Sequence, residues 1–204
     1  MPHPANKPAI AGAALSMALP VRDRTSIAER AVPAWVNALA KLHRPFELLL
    51  IDDGSSAGEA ERLATMAARH REVTLMRHET PRGMGAALRT ALEKAQHPLF
   101  FYTSLEYPYQ TTDLPRLLER IDDVDIVSGI RSARRPPNWY RNWRRGFDLT
   151  LRILIGLKRE PLPGWLGERS HLYNRAMRTI FGVQLEDVDR AYKLFRREVF
   201  ERLV

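Results

Sequence analysis

Apolar and polar positions in this chain come in blocks whose period changes from segment to segment. The sharpest boundary follows residues 48–51, where Leu-Leu-Leu-Ile runs straight into Asp52-Asp-Gly-Ser-Ser56. A continuous apolar run that stops at small polar residues reads as a buried parallel strand emptying into a loop. A similar run over 15–21 predicts a first strand, and the Ser26-x-x-Glu29 capping box predicts a helix from there to about residue 42. Helical spacing at Ala60, Leu63, Ala64 and Ala67 predicts a second helix over 58–70, followed by a strand over 73–76. Pro81-Arg-Gly-Met-Gly85 then turns the chain into a helix over 86–95. Residues 99–103 give a fourth strand, Asp113 caps a helix reaching 121, and 124–129 give a fifth strand. Strands alternating with helices of this length make βαβ units, hence an α/β fold with a Rossmann-like, mainly parallel sheet and helices on both faces.

Beyond Gly129 the pattern changes to a helical, basic C-terminal part. Amphipathic stretches over 147–157 and 172–181 predict helices, separated by a Pro/Gly loop over 158–167. Residues 192–196 predict a strand, and a further helix begins as the chain ends at Val204, which reads as a truncated C-terminal end. Residues 1–12 read as a flexible leader, leaving 13–204 as one domain.

Composition narrows the function classes. The chain has 204 residues, 45% hydrophobic, and no cysteine, which removes disulfides and thiolate metal sites. No apolar run approaches the length of a membrane span. The net charge of +8 calls for an anionic partner: a nucleotide, a membrane surface or a nucleic acid. No groove-reading motif or aromatic RNA platform is present, so nucleic acid is set aside. The charge is concentrated in Arg131, Arg134, Arg135, Arg141, Arg144 and Arg145, interleaved with Trp139, Tyr140 and Trp143. The density of arginines in this segment favours bidentate phosphate contact; the alternative is a solvated basic loop with its tryptophans tucked onto the domain. His43, His70, His78, His97 and His171 show no ligand spacing and read as ordinary surface or helix-end residues.

Asp52 and Asp53 close a strand at the sheet edge where α/β proteins bind ligands. Carboxylates there suit a ribose, the N–H edge of a base or a divalent cation, while the alternative is a plain Asp-Gly turn. Five further segments accompany them: Leu15-Ser-Met-Ala-Leu-Pro-Val21, Arg82-Gly-Met-Gly-Ala-Ala-Leu-Arg89, Tyr107-Pro108 through Asp113-Leu-Pro-Arg-Leu-Leu118, Asp125-Ile-Val-Ser-Gly-Ile-Arg131 and Asp187-Val-Asp-Arg-Ala-Tyr-Lys-Leu-Phe-Arg-Arg197. In order and spacing this set resembles the family 2 glycosyltransferases of GT-A fold, in the branch of dolichyl- and polyprenyl-phosphate glycosyltransferases. The resemblance implies a UDP- or GDP-linked nucleotide-sugar donor, a lipid-phosphate acceptor, an anionic membrane surface and usually Mg²⁺ or Mn²⁺. It also implies a cytoplasmic protein, peripheral at the inner face of the membrane. By matching position, Pro20, Asp52 or Asp53, Arg82 and Gly83 belong to the nucleotide pocket. Arg22-Asp23-Arg24 stands where the family has an aromatic-Asn-Glu.

The chain departs from the family at the fourth strand. The metal-binding Asp-x-Asp falls on Tyr102 and Ser104, or in a second register on Ser104 and Glu106. Ser104 replaces an expected aspartate in both, which leaves Glu106 as the one local carboxylate and a weak cation site. Three readings stay open: a cation held mostly by the diphosphate with Glu106 as anchor; arginines neutralising the leaving group without metal; or a catalytically silent binding protein of the same fold. The resemblance implies a phosphate-side role for Arg131, and an acceptor-phosphate role for Arg141, Arg144 and Arg145. Asp187 or Asp189 is a general base if the acceptor is a hydroxyl, is not needed as one for a phosphate, or forms only a turn paired with arginine.

Overall fold

The computed structural model describes residues 10, 12–105, 110–129 and 191–201. These belong to one compact unit, 1–129 with 191–204; a second, 130–190, lies outside the described residues. The helices expected over 147–157 and 172–181 and the loop over 158–167 therefore lie outside them too.

Strands and helices alternate as β1 (Leu15–Val21), α1 (Thr25–Ala40), β2 (Phe46–Asp53), α2 (Ala57–Ala67), β3 (Val73–His78), α3 (Met84–Lys94) and β4 (Leu99–Thr103). A 3₁₀ turn (Thr111–Asp113) leads into α4 (Leu114–Leu118), then β5 (Ile126–Ser128), β6 (Tyr192–Arg196) and α5 (Glu198–Glu201). Among the described residues six strands form one sheet in the order β3-β2-β1-β4-β6-β5. β1, β2, β3 and β4 are mutually parallel, and β6 runs antiparallel between β4 and β5.

The central strands β1, β2 and β4 are buried on both faces, as their mostly apolar sequences require, while the edge strands β3 and β5 are partly exposed. Leu15, Met17, Leu19 and Val21 point to one face, with Leu48, Leu50 and Phe101, beneath Val32, Trp35 and Leu39 of α1 and Leu63 of α2. Ala18, Leu49, Ile51 and Phe100 point to the other, against Ala87 and Ala91 of α3. The Phe101 ring packs on Trp35 at 5.5 Å and edge-on to Tyr192 at 4.9 Å, tying β6 to the parallel half of the sheet. Buried Arg196 donates to the carbonyls of Ile121 and Asp122, which anchors the end of β6 to the connection after α4.

Two local expectations are corrected. The capping box at Ser26 does not form: α1 starts at Thr25 with no side-chain cap of its own. Its first amide is satisfied across space, Thr25 N donating to Glu59 Oε2 of α2 at 3.0 Å, and Thr25 Oγ1 donates to the Glu59 carbonyl. The expected helix from Asp113 to 121 is shorter, a 3₁₀ turn followed by five residues of α4. Among the described residues no helix is long and apolar enough to cross a membrane.

Candidate active site

The parallel strands bring the ends of β1, β2, β3 and β4 to one edge of the sheet. Register places Asp53 beside His78 and Val21 beside Asp52. Four connections leave from this edge, and the two aspartates wire three of them together, those after β1, β2 and β3.

Asp53 is 7% exposed and gathers the loop between β3 and α3. Its Oδ1 accepts from the His78 ring at Nδ1 (2.7 Å) and from the Arg82 amide (2.9 Å), while Oδ2 accepts from the Gly83 amide (2.8 Å). His78 Nε2 pairs with Thr90 Oγ1 of α3 at 2.9 Å, which fixes the ring from its other end. Burial pushes the Asp53 carboxyl up, but the Arg82 amide, the His78 ring and the Gly83 amide outweigh it and hold Asp53 below its ordinary value. Gly83 sits at φ +85°, a conformation that costs glycine nothing, as it turns into α3. An ionised carboxylate offers about four lone-pair sites. Three are taken, so Oδ2 keeps one acceptor position.

Asp52 is fully buried, and its Oδ1 accepts the Ser55 amide at 2.9 Å. Its Oδ2 has no hydrogen-bond partner and lies 3.5 Å from Arg77 Nε. Ser55 passes the connection on: its Oγ accepts the Asp23 amide at 2.9 Å, and Asp23 Oδ1 accepts the Ser56 amide at 3.0 Å. This reciprocal pair clamps Asp23 in the left-handed region at φ +49°. Gly54, at φ +74°, is where the second and third loops touch; a Cβ there would lie 2.5 Å from Pro81 N.

The loops enclose a cleft of ≈ 190 Å³ lined by Pro20, Val21, Arg22, Arg24, Asp53, Met84, Ala87, Ser104 and Leu105. Ser104 is 5% exposed, and its Oγ has no hydrogen-bond partner. Of the residues the sequence singled out, Pro20, Asp53 and Ser104 line this cleft. Arg82 and Gly83 contribute backbone amides, the Arg82 side chain being exposed. Asp52 lies behind the cleft wall as the support of Ser55. Arg131, Arg141, Arg144, Arg145, Asp187, Asp189 and Glu106 lie outside the described residues.

Four contributors go beyond the site residues the sequence assigns; it marks Arg22 and Arg24 only as a departure from the family. Arg22 and Arg24 reach the cleft because β1 ends at its edge, and Met84 because α3 starts there. His78 is buried, not a surface residue as expected, because it sits in register with Asp53.

A divalent cation does not fit the described part of the cleft. Among the described residues no group of three His, Asp or Glu side chains could hold one. The one carboxylate on the wall, Asp53, already serves three donors, and Ser104 offers a neutral hydroxyl.

The family model of Glycosyl transferase family 2 matches residues 16–204. The chain is 26% identical over 195 residues to an undecaprenyl-phosphate 4-deoxy-4-formamido-L-arabinose transferase of Pseudomonas paraeruginosa, covering 93% of this chain and 49% of that protein. It is 28% identical over 161 residues to an undecaprenyl-phosphate mannosyltransferase of Micrococcus luteus, covering 77% of this chain and 57% of that one. The chain thus spans about half the length of the curated relatives it matches. Solved structures share the fold too, among them two with a nucleotide sugar bound. A mannosyltransferase from Pyrobaculum calidifontis in complex with GDP-Man and Mn²⁺ superposes with a TM-score of 0.57 at 18% identity, over 94% of this chain and 46% of that one. A glucosyl-3-phosphoglycerate synthase from Mycobacterium tuberculosis with Mn²⁺ and UDP-glucose gives 0.59 at 15% identity, over 93% and 58%.

Proposed function

The chain belongs to glycosyl transferase family 2, and from that premise we propose that it transfers a sugar from a UDP- or GDP-linked donor to a polyprenyl-phosphate or similar acceptor. The observation that carries the reading is the cleft at the strand ends, with one spare carboxylate acceptor on Asp53, a cationic rim and an unpartnered hydroxyl. Nucleoside diphosphates present matching groups: an N–H on the base edge, hydroxyls on the ribose and anionic oxygens. Asp53 accepts the base N–H, Pro20 borders the base, and the Arg82–Gly83 turn that Asp53 holds closes the pocket. Asp52 takes part through the Ser55 loop, and Ser104 faces the donor's phosphates. The acceptor oxygen attacks the anomeric carbon, the bond to the diphosphate oxygen breaks, and the nucleoside diphosphate leaves with the electron pair.

The curated relatives act on undecaprenyl phosphate, which supports a lipid-phosphate acceptor. In this reading Arg131 lies near phosphate, and Arg141, Arg144 and Arg145 meet the acceptor phosphate and the anionic surface of a membrane's inner face, where the cytoplasmic chain is peripheral. A phosphate acceptor is already ionised, so Asp187 and Asp189 become general bases only for a hydroxyl acceptor. The leaving group's charge is neutralised in one of two ways: by Mg²⁺ or Mn²⁺, which Glu106 would anchor, or by arginines without a metal. A second reading, a catalytically silent binding protein, is favoured by the neutral Ser104 at an aspartate position.

The test is transfer of radiolabelled sugar from UDP- and GDP-linked donors into an organic extract of vesicles containing undecaprenyl phosphate. Label in the lipid phase supports transfer. Thermal stabilisation by nucleotides with no label in any lipid favours the silent relative. No stabilisation by any nucleotide, where a ligand at about 100 times its Kd adds roughly 2.7 kcal/mol, removes both.

A further inference from the structure

The donor of the proposed reaction brings two adjacent phosphates into a cleft whose described wall holds one carboxylate and two guanidinium groups. That carboxylate is already answered by three N–H donors. Arg24 has no ion-pair partner among the described residues, and Arg22 has only the neighbouring Asp23 carboxylate at 3.8 Å, with its side chain 57% exposed. The wall is therefore organised for an anion, not for a hard cation.

The backbone carrying these arginines is held in place before any ligand arrives. Asp23, between them, sits at φ +49° because its amide and its carboxylate are both engaged by the Ser55–Ser56 loop. A non-glycine residue in that region carries strain that only its surroundings maintain. Here the surroundings are a fully buried aspartate and the serine it orients. Ser104 Oγ is the second, independent sign of a ligand. A buried hydroxyl without a partner is costly, and a phosphate oxygen in the cleft would accept its hydrogen.

Building on the nucleotide-sugar reading, we infer that Arg22 and Arg24 neutralise the donor's diphosphate while Ser104 Oγ donates to it, so that this cleft binds a nucleoside diphosphate without a divalent cation. Arginine suits the task, its planar donors matching two phosphate oxygens at once and its charge persisting at any working pH. The serine in place of an aspartate is then part of the design, since an acid at position 104 would repel the phosphates unless a cation lay between them.

Isothermal titration of the whole chain with UDP, GDP, uridine and guanosine tests this, in EDTA and again in Mn²⁺. The expected result is a diphosphate affinity that agrees within about twofold between the two conditions and falls with added salt. In the double variant Arg22→Gln, Arg24→Gln that affinity drops by about tenfold or more, while nucleoside affinity and the urea midpoint stay put, both side chains being exposed. Ser104→Asp weakens binding in EDTA and makes it recover with Mn²⁺. Diphosphate binding that disappears in EDTA and returns with Mn²⁺ in the parent chain overturns the inference but leaves the transferase reading standing. So does a double variant that binds like the parent, or a Ser104→Asp variant that binds as tightly in EDTA. Failure of every nucleotide and nucleoside to bind in both conditions overturns inference and reading together.

Discussion

Replacing Asp53 by asparagine isolates what its carboxylate does for the fold. The substitution keeps shape and volume but offers one oxygen where there were two, and no charge. Three donors converge on the native group: the His78 ring and the Arg82 amide on one oxygen, the Gly83 amide on the other. Asparagine oriented with its oxygen toward the first two must point its NH₂ at the Gly83 amide, so one charge-assisted bond is lost and two become neutral. A bond to a charged acceptor contributes about 1.5–3 kcal/mol and a neutral one about 1. Gly83 is exposed, so water can satisfy its freed amide, which keeps the total at the low end of that sum, about 2.5–3 kcal/mol. For a chain of this length that is about 5–12 °C in Tm. The pH dependence carries a sign. Asp53 titrates below its ordinary value in the folded chain, so its contribution is complete above that ordinary value and is lost as pH falls through the lowered one. Asparagine does not titrate. Urea unfolding of parent and D53N should therefore show a gap that is largest near neutrality and narrows on acidification below the ordinary carboxylate range. A gap at neutral pH under about 0.5 kcal/mol, within ordinary surface-mutation scatter, would refute the wiring, as would a gap that widens in acid.

Two further substitutions probe the same network. Asp52→Asn keeps an oxygen for the Ser55 amide but makes that one bond neutral and replaces the 3.5 Å approach of half-exposed Arg77, so urea melts should show a cost of about 1–2 kcal/mol, below that of D53N, where three bonds change. Gly54→Ala meets Pro81 N at 2.5 Å and must hold φ +74°; the left-handed conformation alone costs about 1–2 kcal/mol, the backbone contact adds to it, and a loss under about 1 kcal/mol by the same melts would show that the two loops separate freely.

The β1 to β4 half of the fold was legible because β1, β2 and β4 are short, mostly apolar runs with a polar stop, and burial on both faces leaves such runs no other use. β6 was legible as a strand, but its antiparallel place between β4 and β5 was not. That placement is fixed by distant partners, the Phe101 ring against Tyr192 and the Ile121 and Asp122 carbonyls on Arg196, none of them near in sequence. The same gap explains the start of α1. Ser26-x-x-Glu29 is a sound local signal, yet Glu59 from the next helix reaches the Thr25 amide first. Pro33 within α1 gives the opposite lesson: a residue that should break a helix is carried there by the packing of Val32 and Trp35 on either side.

At the site, the aspartate pair was legible as a location but not as a mechanism, and the reason is the strand itself. Successive side chains on a strand face opposite ways, so adjacent residues at the end of β2 cannot both look into one cleft. Asp53 faces the loop before α3 and the cleft; Asp52 faces its own following loop and, through Ser55, the turn carrying Arg22 and Arg24. Asp53 spends three acceptor positions and Asp52 its Oδ1 on ordering loops, while Asp52 Oδ2 stays unpartnered behind the cleft wall. What remains for a ligand is the surplus: one lone pair on Asp53, the hydroxyl of Ser104 and the two guanidinium groups. That surplus is more cationic than a carboxylate pair at a strand end suggests when read alone. It makes the anion of the donor, as much as its base, the feature this cleft is shaped to hold.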